Sequence, residues 1–384
     1  MDATSPGKPD ASGFLDLLDE YHIGLYGGVE VLRARLRPEL SGSDPAVLAA
    51  LASWGGEIHV EPRGDEVDVI LIRPSGPQRH RWWLHGLLLL ATLVTTLAAG
   101  ALLEGIDATR TLWIRDDSLP IPTGLDLGKL WSGAWFGLPF LGILFAHEAG
   151  HYLAARRHRI PVSLPYFLPF IPWYSLVGTL GAFIKIKGPT VRRSVLLDVA
   201  AGGPYASFVL SLAALLVGLA WSEPIAGDAN LVTPFVVRSY GMTILIGNGP
   251  LLHLLGTLYF PETFGIVPIM LDPLAFAGWL GMFVTALNLL PLGQLDGGHI
   301  LYCLWEQPGQ VRAARLFVLA LIPLGFVWWG WWLWGGAALL VNRGKLRHPA
   351  VLQPLVPLDP TRAVIAWLAI LMFFLTFVPL PLST

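Results

Sequence analysis

The hydrophobic positions of this 384-residue chain fall into long runs that follow a polar N-terminal stretch. A helix needs about 20 mostly apolar residues to cross a hydrocarbon core. Three runs meet this length and predict membrane spans at 82–103, 130–155 and 196–221. Two shorter runs, at 274–290 and 363–378, predict a fourth span and a last one.

Two further apolar segments are too irregular for a simple span. Residues 242–260 contain Asn, Gly, Pro and His, and a span there would reverse the fourth span, so we expect a re-entrant or interfacial segment. Residues 313–341 are too short for two full spans and are broken by Pro323 and Gly325, which predicts a shortened hairpin. The pattern therefore predicts an all-α polytopic membrane protein with about six to seven transmembrane helices.

The polar N-terminal stretch predicts a small α+β domain. Phe14–Tyr21 is predicted as a helix, and a second helix follows Asp44 as N-cap with Pro45 at the first helical position. Residues 57–72 predict a hairpin, because apolar residues alternate at period two beyond a turn at 62–65. The expected organisation is an N-terminal domain at 1–80 and a membrane domain at 81–384, whose core covers about 130–305.

Composition supports the membrane assignment. The chain is 54% hydrophobic and only 14% charged, outside the usual balance of a soluble domain. Its net charge of −2 and its short basic clusters give nucleic-acid binding no support. The only cysteine is Cys303, which excludes an intrachain disulfide and a thiolate cage, so any metal is held by His, Asp or Glu. Because the chain starts with a polar stretch, we expect no cleaved secretory signal.

Charge asymmetry predicts the orientation in the membrane. Basic residues 79–81 precede the first span and acidic residues follow it, which places the N-terminal domain in the cytoplasm. The second span ends in the basic residues Arg156, Arg157 and Arg159, which agrees. We therefore expect an integral multi-pass protein, of a bacterial inner (plasma) membrane, whose site opens toward the cytoplasm.

Three ionisable side chains, His147, Glu148 and His151, lie in the apolar second span. On a helix the two histidines are about 40° apart around the axis and about 6 Å along it, so both can face one ion. This is the H-E-x-x-H pattern of zinc hydrolases, in which the glutamate is the general base. A charge at mid-bilayer depth costs about 3 kcal/mol unless it is paired, so a divalent cation explains the cluster better than a polar network without metal.

Catalytic zinc usually has three protein ligands, and two histidines leave one missing. Asp296 is the other intramembrane acid and lies in NLLPLGQLDGGH, at the inner end of the fourth predicted span. Proline and glycine residues there allow the backbone to aim its carboxylate inward. His299 is the rival ligand, and from the chemistry alone we favour Asp296.

The motifs HEAGH and NLLPLGQLDGGH together resemble the site-2 protease family of intramembrane zinc metalloproteases, in particular the group that includes plant chloroplast members. The resemblance covers about residues 130–305. It implies one zinc ion per chain, with His147, His151 and Asp296 as ligands and Glu148 as the catalytic base.

The same resemblance implies substrate-binding residues. Asn288 matches the family's asparagine upstream of the aspartate and implies contact with the substrate or with its scissile carbonyl. The segment GTLGAFI is similar to a strand or loop that binds the substrate as an added strand, which implies roles for Gly178, Gly181 and Ala182.

The sequence thus predicts an intramembrane zinc endopeptidase that cleaves transmembrane segments of membrane proteins, with lipid as its surroundings. The alternative is a metal transporter or a non-proteolytic, metal-dependent membrane binding protein, because intramembrane His and Asp also mark ion paths. A transporter would need a file of ligands across the bilayer, whereas these candidates lie at one depth. The sequence does not indicate an oligomeric state.

Overall fold

The computed structural model of the chain describes residues 16–383 apart from 27–28, 55, 64–65, 75–80, 115–118, 240, 342–343, 345, 350 and 354–355. The described residues form two compact units. The first comprises the described part of 1–80 together with the segments 160–163 and 186–190. The second comprises the rest of the described chain.

The first unit is a four-stranded antiparallel sheet packed against one helix. The elements are β1 (Leu18–Tyr26), β2 (Val29–Leu36), α1 (Pro45–Ala52), β3 (Glu57–Arg63) and β4 (Glu66–Pro74). The strands follow the order β1-β2-β4-β3, and the buried apolar side chains of the helix and the sheet form one core.

The helix predicted over Phe14–Tyr21 is wrong where the structure describes it. From Leu18 onward this segment is β1, which pairs with β2 so that Tyr21 lies opposite Ala34. A short isolated helix is marginal, whereas pairing with a neighbouring strand satisfies the backbone along the whole segment. Tertiary pairing therefore overrides the local pattern.

Helices make up most of the second unit. They are α2 (Trp82–Leu103), α3 (Leu127–Leu130), α4 (Ala134–Arg157), α5 (Arg193–Leu219), α6 (Pro250–Tyr259), α7 (Pro273–Asn288), α8 (Asp296–Val327), α9 (Gly330–Val341) and α10 (Pro360–Thr376). Among the described residues, four stretches are long and apolar enough to cross a membrane. The first is α2, the second is the continuous stretch that contains both α3 and α4, the third is α5 and the fourth is α8. The apolar helices α7 and α10 are shorter, so the expected six to seven spans are not confirmed.

Small sheets lie between these helices. The strands are β5 (Thr111–Ile114), β6 (Leu119–Pro122), β7 (Tyr166–Pro169), β8 (Thr179–Phe183), β9 (Glu223–Pro224), β10 (Phe235–Ser239), β11 (Met242–Ile246), β12 (Ile269–Met270) and β13 (Leu382–Ser383). Strands β5 and β6 form one hairpin, β7 and β8 form another, and the third sheet has five strands in the order β13-β11-β10-β12-β9. The unit is therefore mostly helical rather than all-α, and the irregular segment 242–260 divides into β11 and α6.

Three helices begin with the same dipeptide, Asp-Pro. The aspartates are the N-caps of α1, α7 and α10, and the prolines occupy the first helical position, where no backbone N–H is needed. Asp272 accepts a hydrogen bond from the backbone N–H of Leu274, and Asp359 accepts one from that of Arg362. The cap on α7 fixes where that helix starts, and Asn288 is the residue on which it ends.

The break predicted at Pro323 and Gly325 lies elsewhere. Helix α8 continues through both residues to Val327, and the chain leaves helical geometry at Trp328, which has an extended backbone. A proline inside a membrane helix is tolerated because local adjustments satisfy the freed carbonyl. A separate kink occurs at Glu306, a non-glycine residue with φ of 57°.

Candidate metal centre

Two histidines of α4 and the first residue of α8 converge on one point. The Nε2 atoms of His147 and His151 are 3.1 Å apart, and each lies 3.3 Å from Oδ2 of Asp296. Both imidazoles are buried, with 5% and 8% of their residue surface exposed. Among the described residues these three form the only group of at least three His, Cys, Asp or Glu that could hold a metal ion.

Glycines in the connection between α7 and α8 bring Asp296 to this point. A Cβ on Gly297 would lie 1.9 Å from the carbonyl oxygen of Leu289, and one on Gly298 would lie 2.6 Å from that of Gly293. Both distances are shorter than any real Cβ contact. The start of α8 can therefore press against the preceding loop only because both positions are glycine.

Helices α4 and α5 also cross at glycines. A Cβ on Gly150 would lie 2.2 Å from the carbonyl oxygen of Gly202, so the two backbones touch. A Cβ on Gly203 would lie 2.2 Å from Nε2 of His151. Gly202 and Gly203, near the middle of α5, therefore serve helix packing and also leave the space that the His151 ring occupies.

The other nitrogen of each imidazole has a partner on α5. Nδ1 of His147 lies 3.0 Å from Oγ of Ser207, and Nδ1 of His151 donates to the carbonyl oxygen of Val199 at 2.7 Å. Both Nε2 atoms therefore point at the cluster. Two nitrogen donors and one carboxylate oxygen, with the histidines held from behind, fit a catalytic zinc ion and leave its fourth position open.

His299, the rival ligand, points elsewhere. Its Nδ1 faces Nε2 of His348, whose ring stacks on that of Tyr302. Burial and the neighbouring His299 lower the pKa of His348 to about 3, so His348 is neutral at physiological pH. The structure thus brings Asp296, and not His299, to the two histidines.

Glu148 and Asn288 border the cluster. Glu148 is buried on α4, and its carboxylate lies near the backbone N–H of Ile184, directly after β8. The side-chain Nδ2 of Asn288 lies 3.4 Å from Nε2 of His147. A buried carboxylate and an amide donor therefore stand beside the three candidate ligands.

The predicted substrate-binding residues lie in the hairpin of β7 and β8. Gly181 pairs with Leu168, and Ala182 pairs with Phe167. Within the described residues β8 pairs with β7 alone, so its other edge is open. Gly178 and Gly181 have φ of 71° and 107°, in the region that favours glycine. A Cβ on Gly178 would also lie 2.2 Å from the Thr95 carbonyl oxygen of α2, whereas a Cβ on Gly181 would meet no atom within 4 Å.

Sequence reasoning missed several residues that support the site. Ser207, Thr285 and Gly203 touch the histidines or each other, but small residues in an apolar helix look like ordinary packing positions. His85 is buried on α2 and its Nδ1 lies 3.0 Å from the carbonyl oxygen of Pro165, just before β7. A histidine inside an apolar run was the one available signal for that contact.

A cavity of about 440 Å³ lies away from the cluster, where α2 ends and α7 begins. Its lining includes the carboxyl groups of Glu104 and Asp272. Burial raises the pKa of both groups, and the charge of Asp272 raises that of Glu104 further. Neither the predicted metal ligands nor the predicted base Glu148 lines this cavity, so it is separate from the group formed by His147, His151 and Asp296.

The fold and the site define an integral membrane protein with a buried group of two histidines and one aspartate that could hold a metal ion, and with an adjacent glutamate. The chain belongs to Peptidase family M50, whose family model matches residues 135–327, just over half of the chain. The resemblance to the site-2 proteases is thereby confirmed.

Among curated proteins, the chain is similar to zinc metalloproteases of plant chloroplasts. It is 36% identical over 160 residues to the probable zinc metalloprotease EGY1, chloroplastic, of Arabidopsis thaliana. The aligned residues are 41% of this chain and 27% of the relative. It is 32% identical over 212 residues to the probable zinc metalloprotease EGY2, chloroplastic, of Oryza sativa subsp. indica, covering 55% and 36%. The chain thus spans about a third of the length of these relatives. No solved structure matches it.

Proposed function

We propose that this chain is an intramembrane zinc endopeptidase that cleaves transmembrane segments of other membrane proteins. The observation that carries the proposal is the convergence of His147, His151 and Asp296 inside apolar helices, beside the buried carboxylate of Glu148. Membership of Peptidase family M50 and the names of the plant relatives support both the protease activity and the zinc.

His147, His151 and Asp296 would hold the zinc ion. When bound, zinc acts as a Lewis acid that makes water a nucleophile at neutral pH and polarises a carbonyl. Glu148 takes the proton of the attacking water and returns it to the leaving amine, as general base and then general acid. The amide of Asn288 donates a hydrogen bond to the oxygen of the scissile carbonyl, where negative charge develops.

The substrate binds as an added strand on the open edge of β8, which contains Gly181 and Ala182 and directly follows Gly178. Main-chain hydrogen bonds give this mode its affinity without demanding a particular sequence. The position of Glu148 near Ile184 supports this location, because Ile184 directly follows β8 and Glu148 is the proposed base. A strand placed there delivers its backbone to the reacting groups.

The finer topology is also proposed. Counting α7 and α10 with the four long stretches gives six spans, and the short helix α9 would add a seventh. The relatives named above are chloroplast proteins, which conflicts with the expected bacterial plasma membrane, so only the location in a membrane is kept. The basic end of α4 supports a site that opens toward the cytoplasm. The charges around the first span support a cytoplasmic location for the domain at 1–80. A protease domain at 81–384 remains a prediction.

Metal transport, the alternative from the sequence, is not favoured. The described residues hold one group of candidate ligands, at a single depth in the helices, whereas a transporter needs several along a path. Family membership points the same way.

Glu148→Gln tests the proposal. The variant should bind zinc as the parent does, because no ligand is changed, and should cleave a membrane-embedded reporter about 100-fold or more slowly. Zinc content per purified chain and the amount of cleaved reporter in reconstituted vesicles are the measurements. Glu223→Gln, at an exposed position in β9, is the matched control and should cleave normally. Unchanged cleavage by Glu148→Gln would refute the mechanism.

A further inference from the structure

A chain of buried hydroxyl groups lies behind His147. Nδ1 of His147 lies 3.0 Å from Oγ of Ser207 on α5, and that oxygen lies 2.9 Å from Oγ1 of Thr285 on α7. Thr285 in turn donates to the carbonyl oxygen of Gly281 at 2.8 Å. Ser207 and Thr285 are 2% and 0% exposed, so water does not compete for these hydrogen bonds.

The acceptors around the two hydroxyl groups determine where their hydrogens point. The Thr285 hydrogen goes to Gly281, because a carbonyl oxygen can only accept. The single Ser207 hydrogen has Thr285 Oγ1 and the carbonyl oxygens of Gly203 and Pro204 as acceptors, at 2.9, 3.2 and 3.1 Å. A Ser207 hydrogen that points to any of these three leaves a lone pair for His147. His147 then carries its hydrogen on Nδ1 and presents an unprotonated Nε2 to the cluster.

His151 reaches the same state by another route. Its Nδ1 donates to the backbone carbonyl of Val199, a partner that no side-chain substitution removes. Only His147 depends on side chains for its tautomer. The two candidate ligands therefore differ in how their orientation can be disturbed.

We propose that Ser207 and Thr285 are positioning residues that select the metal-binding tautomer of His147 and hold its ring toward the zinc position. The inference rests on the proposed function, since it takes the cluster to be a zinc site. Loss of the partner behind a metal-binding histidine typically lowers metal affinity by about 10–100-fold. Ser207 should fall in that range. Thr285 should matter less, by about threefold to tenfold, because the Ser207 hydrogen can still bond to carbonyls of its own helix.

The test is zinc binding by the full chain in detergent. The variants are Ser207→Ala and Thr285→Val, with Thr285→Ser as the conservative replacement that keeps the hydroxyl. Ser211→Ala is the matched control, because Ser211 lies one turn further along α5, is fully buried, and finds no hydrogen-bond partner among the described residues. Affinity is measured by competition with a chelator, and the absorption spectrum of the cobalt-loaded protein reports the ligand geometry.

Ser207→Ala should bind zinc about 10–100-fold more weakly, while Thr285→Ser and Ser211→Ala bind as the parent does. Equal affinities and cobalt spectra for Ser207→Ala and Ser211→Ala would overturn the inference and leave the zinc site intact. A parent chain that binds no zinc would instead overturn the proposed function. If Ser207→Ala is not recovered folded, Thr285→Val against Thr285→Ser decides, and equal affinity of that pair overturns the role of the hydroxyl chain.

Discussion

The metal cluster and the hairpin of β7 and β8 are neighbours built in opposite ways. The cluster lies in buried helices whose backbones touch at Gly150 and Gly202, and each histidine has a partner behind it. The hairpin has an open edge, and its side chains Leu180 and Phe183 are 66% and 46% exposed. Catalytic groups need fixed positions, whereas a strand that accepts many sequences needs an accessible backbone.

The difference predicts two classes of damage. Substitutions among the packed helices should remove zinc and activity together. Substitutions in the hairpin should lower cleavage and leave zinc in place. Measuring zinc content and cleavage side by side for each variant therefore tests whether the two regions are separate devices.

The largest effect is expected for Gly203→Ala. The added methyl group would lie 2.2 Å from Nε2 of His151, so the ring must leave its position and zinc affinity should fall by at least about 100-fold, beyond the loss of a supporting hydrogen bond. Chelator competition and metal content measure it. Gly142→Ala on α4, where the methyl group meets nothing, is the control. Retention of zinc by Gly203→Ala would contradict the packing described for α5.

A smaller effect, confined to cleavage, is expected for Gly178→Ala. The new Cβ would collide with the Thr95 carbonyl oxygen at 2.2 Å and strain a φ of 71°, which displaces the hairpin and should slow cleavage about tenfold. Gly181→Ala, with strain but open space, should slow it only about threefold. Reporter cleavage and zinc content are compared for both. A loss of zinc in either variant would contradict the prediction that the hairpin and the metal-binding residues can be disturbed separately.

The effect expected for His85→Phe on α2 is smaller than that of Gly178→Ala. The replacement keeps a ring beside Tyr166, 4.2 Å away between centroids, but removes the hydrogen bond to Pro165 at 3.0 Å. Such a bond contributes about 1 kcal/mol, so cleavage should slow about fivefold at unchanged zinc. Gly86→Ala, a neighbour with open space, is the control. Limited proteolysis of 164–185 gives an independent measure, and equal protection in the two variants would rule out an anchoring role.

The sequence could predict the pairing of the two histidines because their spacing is local. A separation of four residues puts His147 and His151 on one helix face. The glycines beside Asp296 indicated a backbone that could aim its carboxylate, and the structure brings that carboxylate to the pair. The choice over His299 required the fold, because only the position of His348 shows what His299 faces instead.

The supporting residues could not be predicted from spacing. Ser207 lies 60 residues from His147 along the chain, and Thr285 lies 78 residues beyond Ser207, so only the packing of α4, α5 and α7 unites them. Local reasoning also failed at Leu18, where strand pairing prevails over a helical pattern, and at Trp328, where the break follows the proline by several residues.

The open edge of β8 gives the proposed enzyme an unusual basis for choosing its substrates. The backbone N–H and C=O groups of a membrane helix are hydrogen-bonded within the helix, so a substrate helix can pair with β8 only after part of it has unwound. Glycine lowers the cost of that opening by about 1 kcal/mol per residue and proline by about 3 kcal/mol. The enzyme would thus discriminate by the local melting of its target, and a segment that stays helical would pass the same edge uncut.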